Sequence, residues 1–122
     1  MPRDTRKLRV FQLADRLALE MFAATRTLPR QEQFEIGKQL RRAALSVPTN
    51  LIEGGQRDGT REHRRFVNIA LGSAPETHYL LTVALRLGVM PAASGLVSEY
   101  EGLLRGLQKL LVSIRGLPDA RT

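Results

Sequence analysis

The carboxyl-terminal part of the chain carries an apolar repeat that restricts what it can fold into. Large apolar side chains recur there at alternating intervals of four and three residues, at Leu96, Tyr100, Leu103, Leu107, Leu110, Ile114 and Leu117. Because an α-helix has about 3.6 residues per turn, this spacing places the side chains along one face. A strand would divide them between two opposite faces. The repeat therefore predicts an amphipathic helix that packs against other helices.

Three further segments show helical periodicity, and no segment shows the alternation and hairpin turns of paired strands. The predicted helices span about residues 6–27, 30–54, 60–87 and 94–116. Short loops between helices of similar length favour antiparallel neighbours. The sequence thus predicts an all-α fold, an antiparallel up-down-up-down four-helix bundle, as a single domain over residues 1–122.

The second predicted helix contains an interior proline, Pro48, in the stretch LRRAALSVPTNLIEGGQR of residues 40–57. An interior proline removes one backbone hydrogen bond, at a usual cost of about 3 kcal/mol or more. The apolar seam continues past it, at Leu40, Ala44, Val47 and Leu51. A second apolar edge lies about a third of a turn away, formed by Phe34, Leu45 and Ile52. This edge is interpreted either as a broad core face or as a subunit contact.

A polar stripe follows another side of the same helix. It contains Arg42, Ser46, Glu53 and Arg57, with Asn50 at its margin. We interpret this stripe as part of an assembly element and not as an active site. The residues assigned to the assembly element are Arg42, Ser46, Pro48, Asn50, Glu53 and Gly54.

The chain is basic, and its charge is uneven. The formal net charge is +7, and residues 1–65 hold 14 basic and 8 acidic side chains, whereas residues 66–122 hold 5 and 4. A basic half favours RNA, DNA or an acidic protein as a partner, while a solvated basic surface is the simpler interpretation. With four Phe and two Tyr, we expect contacts with the nucleic-acid backbone and not base stacking. The candidate nucleic-acid contacts are Arg57, Arg61, Arg64, Arg65 and Arg86.

The sequence offers no recognisable catalytic chemistry. It has no cysteine, and its two histidines, His63 and His78, do not form the Glu-x-x-His pairs of a di-metal bundle. No nucleophile with a base and no phosphate-binding glycine loop can be assembled. We therefore predict no catalytic residue, no metal ligand and no cofactor. The absence of a signal-like or membrane-spanning apolar run predicts a cytoplasmic protein without membrane contact.

Three motifs resemble those of four-helix-bundle proteins encoded in intervening sequences of bacterial 23S ribosomal RNA genes. RRAALSVPTNLIEGGQR resembles the family pattern R-R-A-A-x-S-[IV]-P-x-N-[IL]-x-E-G, while RFVNIALGSAPE and RLGVM resemble a second block and the end of the third helix. The resemblance covers about residues 7–117. The matching positions are Ser46, Pro48, Asn50, Glu53, Gly54, Arg65, Phe66, Gly72, Ser73 and Glu76.

This resemblance implies a homopentameric barrel of helical bundles, in which the matching residues are mainly structural and oligomer-forming. The family includes the accessory protein of diversity-generating retroelements, which partners a reverse transcriptase and binds nucleic acid through a basic surface. The combined prediction is a non-enzymatic homo-oligomer that binds the backbone of RNA or DNA. The alternative is an oligomeric scaffold or adaptor that docks an acidic protein partner, such as a reverse transcriptase.

Overall fold

The computed structural model describes residues 4–117, which are helical over most of their length. The elements, in chain order, are a 3₁₀ turn at Thr5–Lys7, helix α1 at Arg9–Thr25, one turn of helix, α2, at Arg30–Glu32, a π-helical stretch at Gln33–Gly37, α3 at Lys38–Gly55, α4 at Thr60–Leu87 and α5 at Ala93–Arg115. No strand occurs within residues 4–117. The predicted all-α fold with four long helices is therefore confirmed.

The structure refines the ends of the first two predicted helices. Leu8 has an extended backbone, so the 3₁₀ turn ends there and α1 begins at Arg9. The second helix contains a π-helical stretch that ends at Gly37, next to the loop after α1. A Cβ atom at Gly37 would lie 3.0 Å from Leu28 Cδ1. The glycine therefore allows the helix to pass close to that loop.

The four long helices form an antiparallel bundle in which each has two neighbours. Helices α1 and α4 lie diagonally, and both pack against α3 and α5. The end of α3 meets the start of α4 at Gly54, where a Cβ atom would lie 2.9 Å from Phe66 Cβ. Val10, early in α1, contacts Gly106, late in α5. These contacts define two ends of the bundle, and the loop between α3 and α4 lies at the same end as the start of α1.

The apolar repeat of α5 faces the core for most of its length. Its first four members and Ile114 are buried, but Leu110 is half-buried and Leu111 is buried in its place. Leu117 lies beyond the helix and is 54% exposed. A repeat of seven residues drifts by about 20° per repeat on a straight helix. The buried face of α5 therefore moves by one residue near its end.

Tyr100 is the largest fully buried side chain of this core. Its hydroxyl group has no hydrogen-bond partner within the described part of the chain. Burial, with a smaller contribution from the negative charge of Glu20, raises the pKa of Tyr100, so the hydroxyl stays protonated. A buried hydroxyl group without a partner costs about 1–3 kcal/mol.

We expect Tyr100→Phe to increase the free energy of unfolding by about 1 kcal/mol, because it removes a buried polar group and keeps the ring. Urea denaturation at one fixed protein concentration measures the change. Tyr79→Phe is the matched control, since Tyr79 is 60% exposed and loses a solvated hydroxyl group. A clear loss of stability in Tyr100→Phe would show that its hydroxyl group is satisfied in solution.

Candidate nucleic-acid and assembly surfaces

Two of the candidate arginines are fixed against Phe66 near the start of α4. The guanidinium carbons of Arg57 and Arg65 lie 4.9 Å and 4.4 Å from the centroid of the Phe66 ring. Arg57 also pairs with Glu53 at 2.9 Å, and Arg65 pairs with Glu62 at 3.2 Å. The stacking gives the two side chains defined positions. The two carboxylates, however, offset the positive charge that the arginines present to an anion.

The other three candidate arginines lie elsewhere on α4. Arg61 is exposed, and Arg64 is half-buried on the side of α4 that faces α5. His78 marks the side of α4 that faces α5, because its Nε2 atom lies 3.2 Å from Glu101 Oε2 of α5. Arg64 lies on the same side, because it precedes His78 by two repeats of seven residues. Arg86 lies at the opposite end of α4, about 32 Å from Arg65 at 1.5 Å per residue. The structure thus brings four of the five candidates to one end and leaves Arg86 apart.

Arg86 has its own local contacts at that far end. Its Nε atom donates to the carbonyl of Thr82 at 3.3 Å, and its guanidinium carbon lies 5.9 Å from the centroid of the Tyr79 ring. Arg86 is therefore separate from the cluster around Phe66. The five candidate contacts therefore lie at two separate places on the bundle.

The charge asymmetry is spatial, and it divides the bundle into two halves. We define the basic half as residues 4–15, 47–73 and 105–117, which lie at the end with the α3–α4 loop. It contains 10 basic and 5 acidic side chains, whereas residues 16–46 and 74–104 contain 7 and 6. We count Arg16 with residues 16–46 and 74–104, because its guanidinium group binds Glu20 and Glu99 of those segments, each at 2.6 Å. The net positive charge of the described chain is thus concentrated at one end.

The polar stripe of α3 is used partly within the chain. The Oγ atoms of Ser46 and Ser73 lie 2.8 Å apart and join α3 to α4. Asn50 Nδ2 donates to the Ser46 carbonyl at 2.8 Å and to Ser46 Oγ at 3.0 Å. Ser46 and Asn50 therefore contribute to helix packing inside one chain. The exposed members of the stripe, Arg42, Glu53 and Arg57, remain accessible to a second copy.

The same hydrogen bonds lie beside the two interior prolines. Ser46 and Ser73 each precede a proline by two residues, Pro48 in α3 and Pro75 in α4, and both helices continue through the proline. Side-chain donors bind carbonyls next to each interruption, as in the 2.7 Å bond from Thr49 Oγ1 to the carbonyl of Leu45. The burial of Pro48 offsets part of the cost of its missing backbone bond.

A surface groove between α1 and α3 contains the apolar edge predicted from the sequence. It has a volume of about 560 Å³ and is lined by Arg6, Phe11, Gln12, Asp15, Leu45, Pro48, Thr49, Ile52 and Glu53. Leu45 is 48% exposed. Leu19 is 67% exposed. It follows Asp15, which lines the groove, by four residues, so it lies on the same side of α1. Phe34, at 72% exposure, lies in the π-helical stretch and does not line this groove.

Residues 4–117 contain no group of three or more His, Cys, Asp or Glu side chains placed to hold a metal ion. None of the helices within these residues combines the length and the apolar character that a membrane span requires.

Sequence reasoning did not identify the basic residues of α5. Arg105, Lys109 and Arg115 occur in the part of the sequence that is nearly neutral overall. The fold places them in the same half of the bundle as Arg61, Arg64 and Arg65 of α4. The antiparallel order of the predicted helices already implied this placement. In that order, the end of the fourth predicted helix (α5) must lie beside the start of the third predicted helix (α4).

The fold and the charge distribution define a class, an all-α four-helix bundle with one basic end. The comparisons with known proteins agree with this class, because the family model for the 23S rRNA-intervening sequence protein matches residues 6–113. The chain therefore belongs to the 23S rRNA-intervening sequence protein family.

A solved structure supports the fold. It is described as a protein with unknown function from the S23 ribosomal protein family of Bacteroides thetaiotaomicron VPI-5482. It shares 21% sequence identity with this chain, has a TM-score of 0.78, and the alignment covers 84% of this chain and 94% of that one. No curated protein matches the chain. At this identity the likeness concerns the fold alone.

Proposed function

We propose that this protein is a non-enzymatic homo-oligomer that binds the phosphate backbone of nucleic acid, RNA in particular, through its basic half. The observation that carries the proposal is the concentration of 10 basic against 5 acidic side chains at one end of the bundle. A polyanion gains from such a surface because each phosphate contact releases counterions. The membership in a family named for ribosomal RNA intervening sequences is in keeping with an RNA ligand.

The chemistry of the basic half favours backbone contacts over base recognition. Its aromatic side chains, Phe11 and Phe66, are both buried, so no aromatic platform is available for stacked bases. Exposed arginines supply phosphate forks without reading the sequence. We therefore expect little sequence preference and a strong dependence of binding on salt.

The groove between α1 and α3 supports the homo-oligomeric part of the proposal. Its apolar members, Leu45 and Ile52, lie beside Pro48 on a helix whose other face already packs in the core. The charged rim includes both Arg6 and Glu53, so two copies can offer each other opposite charges. A second copy of this chain would remove the exposed part of Leu45 from water. The family resemblance gives five as the expected number of subunits.

A filter-binding titration against a labelled hairpin RNA at several salt concentrations tests the binding proposal. We expect binding at low salt and a linear fall of the logarithm of the affinity with the logarithm of the salt concentration. A hairpin of a different sequence should bind about equally well. No binding at low salt, or binding that salt does not weaken, would contradict the proposal and favour an adaptor that docks a protein.

A further inference from the structure

One edge of the basic half carries cations that form no ion pair within the described residues. On α5, Arg105, Gln108, Val112 and Arg115 follow Glu101 at intervals of three or four residues and so share its face. Glu101 contacts His78 of α4, which identifies this face as the side toward α4. All four of these side chains are exposed, and Lys109 lies beside them. The face is thus a basic strip next to the seam between α4 and α5.

Helix α4 adds a further cation to this seam. Arg64 lies on the side of α4 that faces α5, and the antiparallel register that pairs His78 with Glu101 puts Arg64 level with Arg115. We call Arg64, Arg105, Lys109 and Arg115 the seam cations. Residues 105–117 contain no acidic side chain, and no ion pair joins any seam cation to another residue in the described range.

The arginines around Phe66 differ from the seam cations in this respect. Arg57 and Arg65 each have a carboxylate partner, Glu53 and Glu62, at 2.9 Å and 3.2 Å. A phosphate that approaches either arginine must compete with that carboxylate or accept its repulsion. On the α5 side of the seam, the described residues include one carboxylate, Glu101, which lies at the end of the strip and contacts His78. A phosphate near Lys109 or Arg115 therefore meets less repulsion. The seam is also long enough for several contacts, since Arg105 and Arg115 are separated by about 15 Å along the helix.

We propose that the seam between α4 and α5 is the main contact surface for nucleic-acid backbone, with the seam cations as the phosphate-binding residues. This inference rests on the proposed function and locates its site. The ligand is a phosphodiester chain, whose phosphates the arginine and lysine side chains bind, and the surface around Arg57 and Arg65 contributes less.

A charge-neutralising variant tests this placement. Arg105→Gln/Lys109→Gln/Arg115→Gln removes three seam cations from exposed positions, so the fold should persist, which circular dichroism checks. The matched control is Arg26→Gln/Arg30→Gln/Lys38→Gln, which removes the same charge from exposed positions in the other half. A third variant, Arg57→Gln/Arg65→Gln, probes the cluster around Phe66. Each is titrated with the hairpin RNA at several salt concentrations.

The seam variant should bind at least about tenfold more weakly at low salt, and its salt slope should decrease by about 2 to 3, since each phosphate contact contributes about 0.7 to 0.9. The control in the other half should keep most of the wild-type slope. An equal loss in the control would mean that net charge alone governs binding, which would overturn the inference. Retained binding in the seam variant together with loss in the Arg57 and Arg65 variant would also overturn it, while the proposed function would stand. A wild-type protein that does not bind RNA would overturn both.

Discussion

Leu45→Glu is expected to convert the proposed homo-oligomer to a monomer at micromolar concentration while leaving the helix content unchanged. Leu45 is 48% exposed in the groove between α1 and α3, so a carboxylate there remains solvated in the monomer. In an assembly that covers the groove, the same carboxylate would be buried without a partner. Sedimentation velocity should therefore show a several-fold loss of mass, and circular dichroism should show no change.

Leu85→Glu is the matched control for this substitution. Leu85 has a similar exposure of 41%, but it lies on α4, which is diagonal to α1 and does not border the groove. Its substitution should leave the sedimentation of the protein unchanged. If Leu45→Glu sediments as the wild type does, the groove is not the subunit contact.

Gly54→Ala is expected to lower the free energy of unfolding, although alanine is a better helix former than glycine. A Cβ atom at this position would lie 2.9 Å from Phe66 Cβ and 3.2 Å from His63 Cδ2. The end of α3 and the start of α4 must then move apart. Overpacking costs about 1–3 kcal/mol against a gain of about 1 kcal/mol from helix propensity, so we expect a net loss of up to about 2 kcal/mol.

Gly72→Ala provides the opposite case on the neighbouring helix. Gly72 is exposed in α4, and a Cβ atom there has no other atom within 4 Å. The same substitution should therefore increase the free energy of unfolding by about 0.5–1 kcal/mol. Urea denaturation of both variants at equal protein concentration measures the difference, because the stability of an oligomer depends on concentration. Equal effects of the two substitutions would contradict the close contact at Gly54.

The sequence was sufficient to predict the helices because its signals are local. The seam of α3, from Leu40 to Leu51, is buried as expected, and the predicted third helix coincides with α4 at Thr60–Leu87. The π-helical stretch was not predicted, and it ends at Gly37, where the helix passes close to Leu28 of the loop after α1. Periodicity does not contain such contacts between distant segments.

The candidate site was only partly predictable, for a related reason. Arg57, Arg61, Arg64 and Arg65 are neighbours in sequence and remain neighbours in the fold, whereas Arg86 lies at the far end of the same helix. The partner of Ser46 is Ser73, 27 residues away, so a stripe that resembled a subunit contact is partly a contact within the chain. The repeated Ser-x-Pro pattern of α3 and α4 was a sequence signal for this junction.

Sedimentation velocity of the wild-type protein with a labelled hairpin RNA is the decisive measurement, because it reports assembly and binding together. We expect the protein alone to sediment as an oligomer and the RNA to sediment with it at low salt. High salt should release the RNA without dissociating the apolar subunit contact. A protein that sediments as a monomer, or an RNA that sediments alone at low salt, would contradict the proposed function.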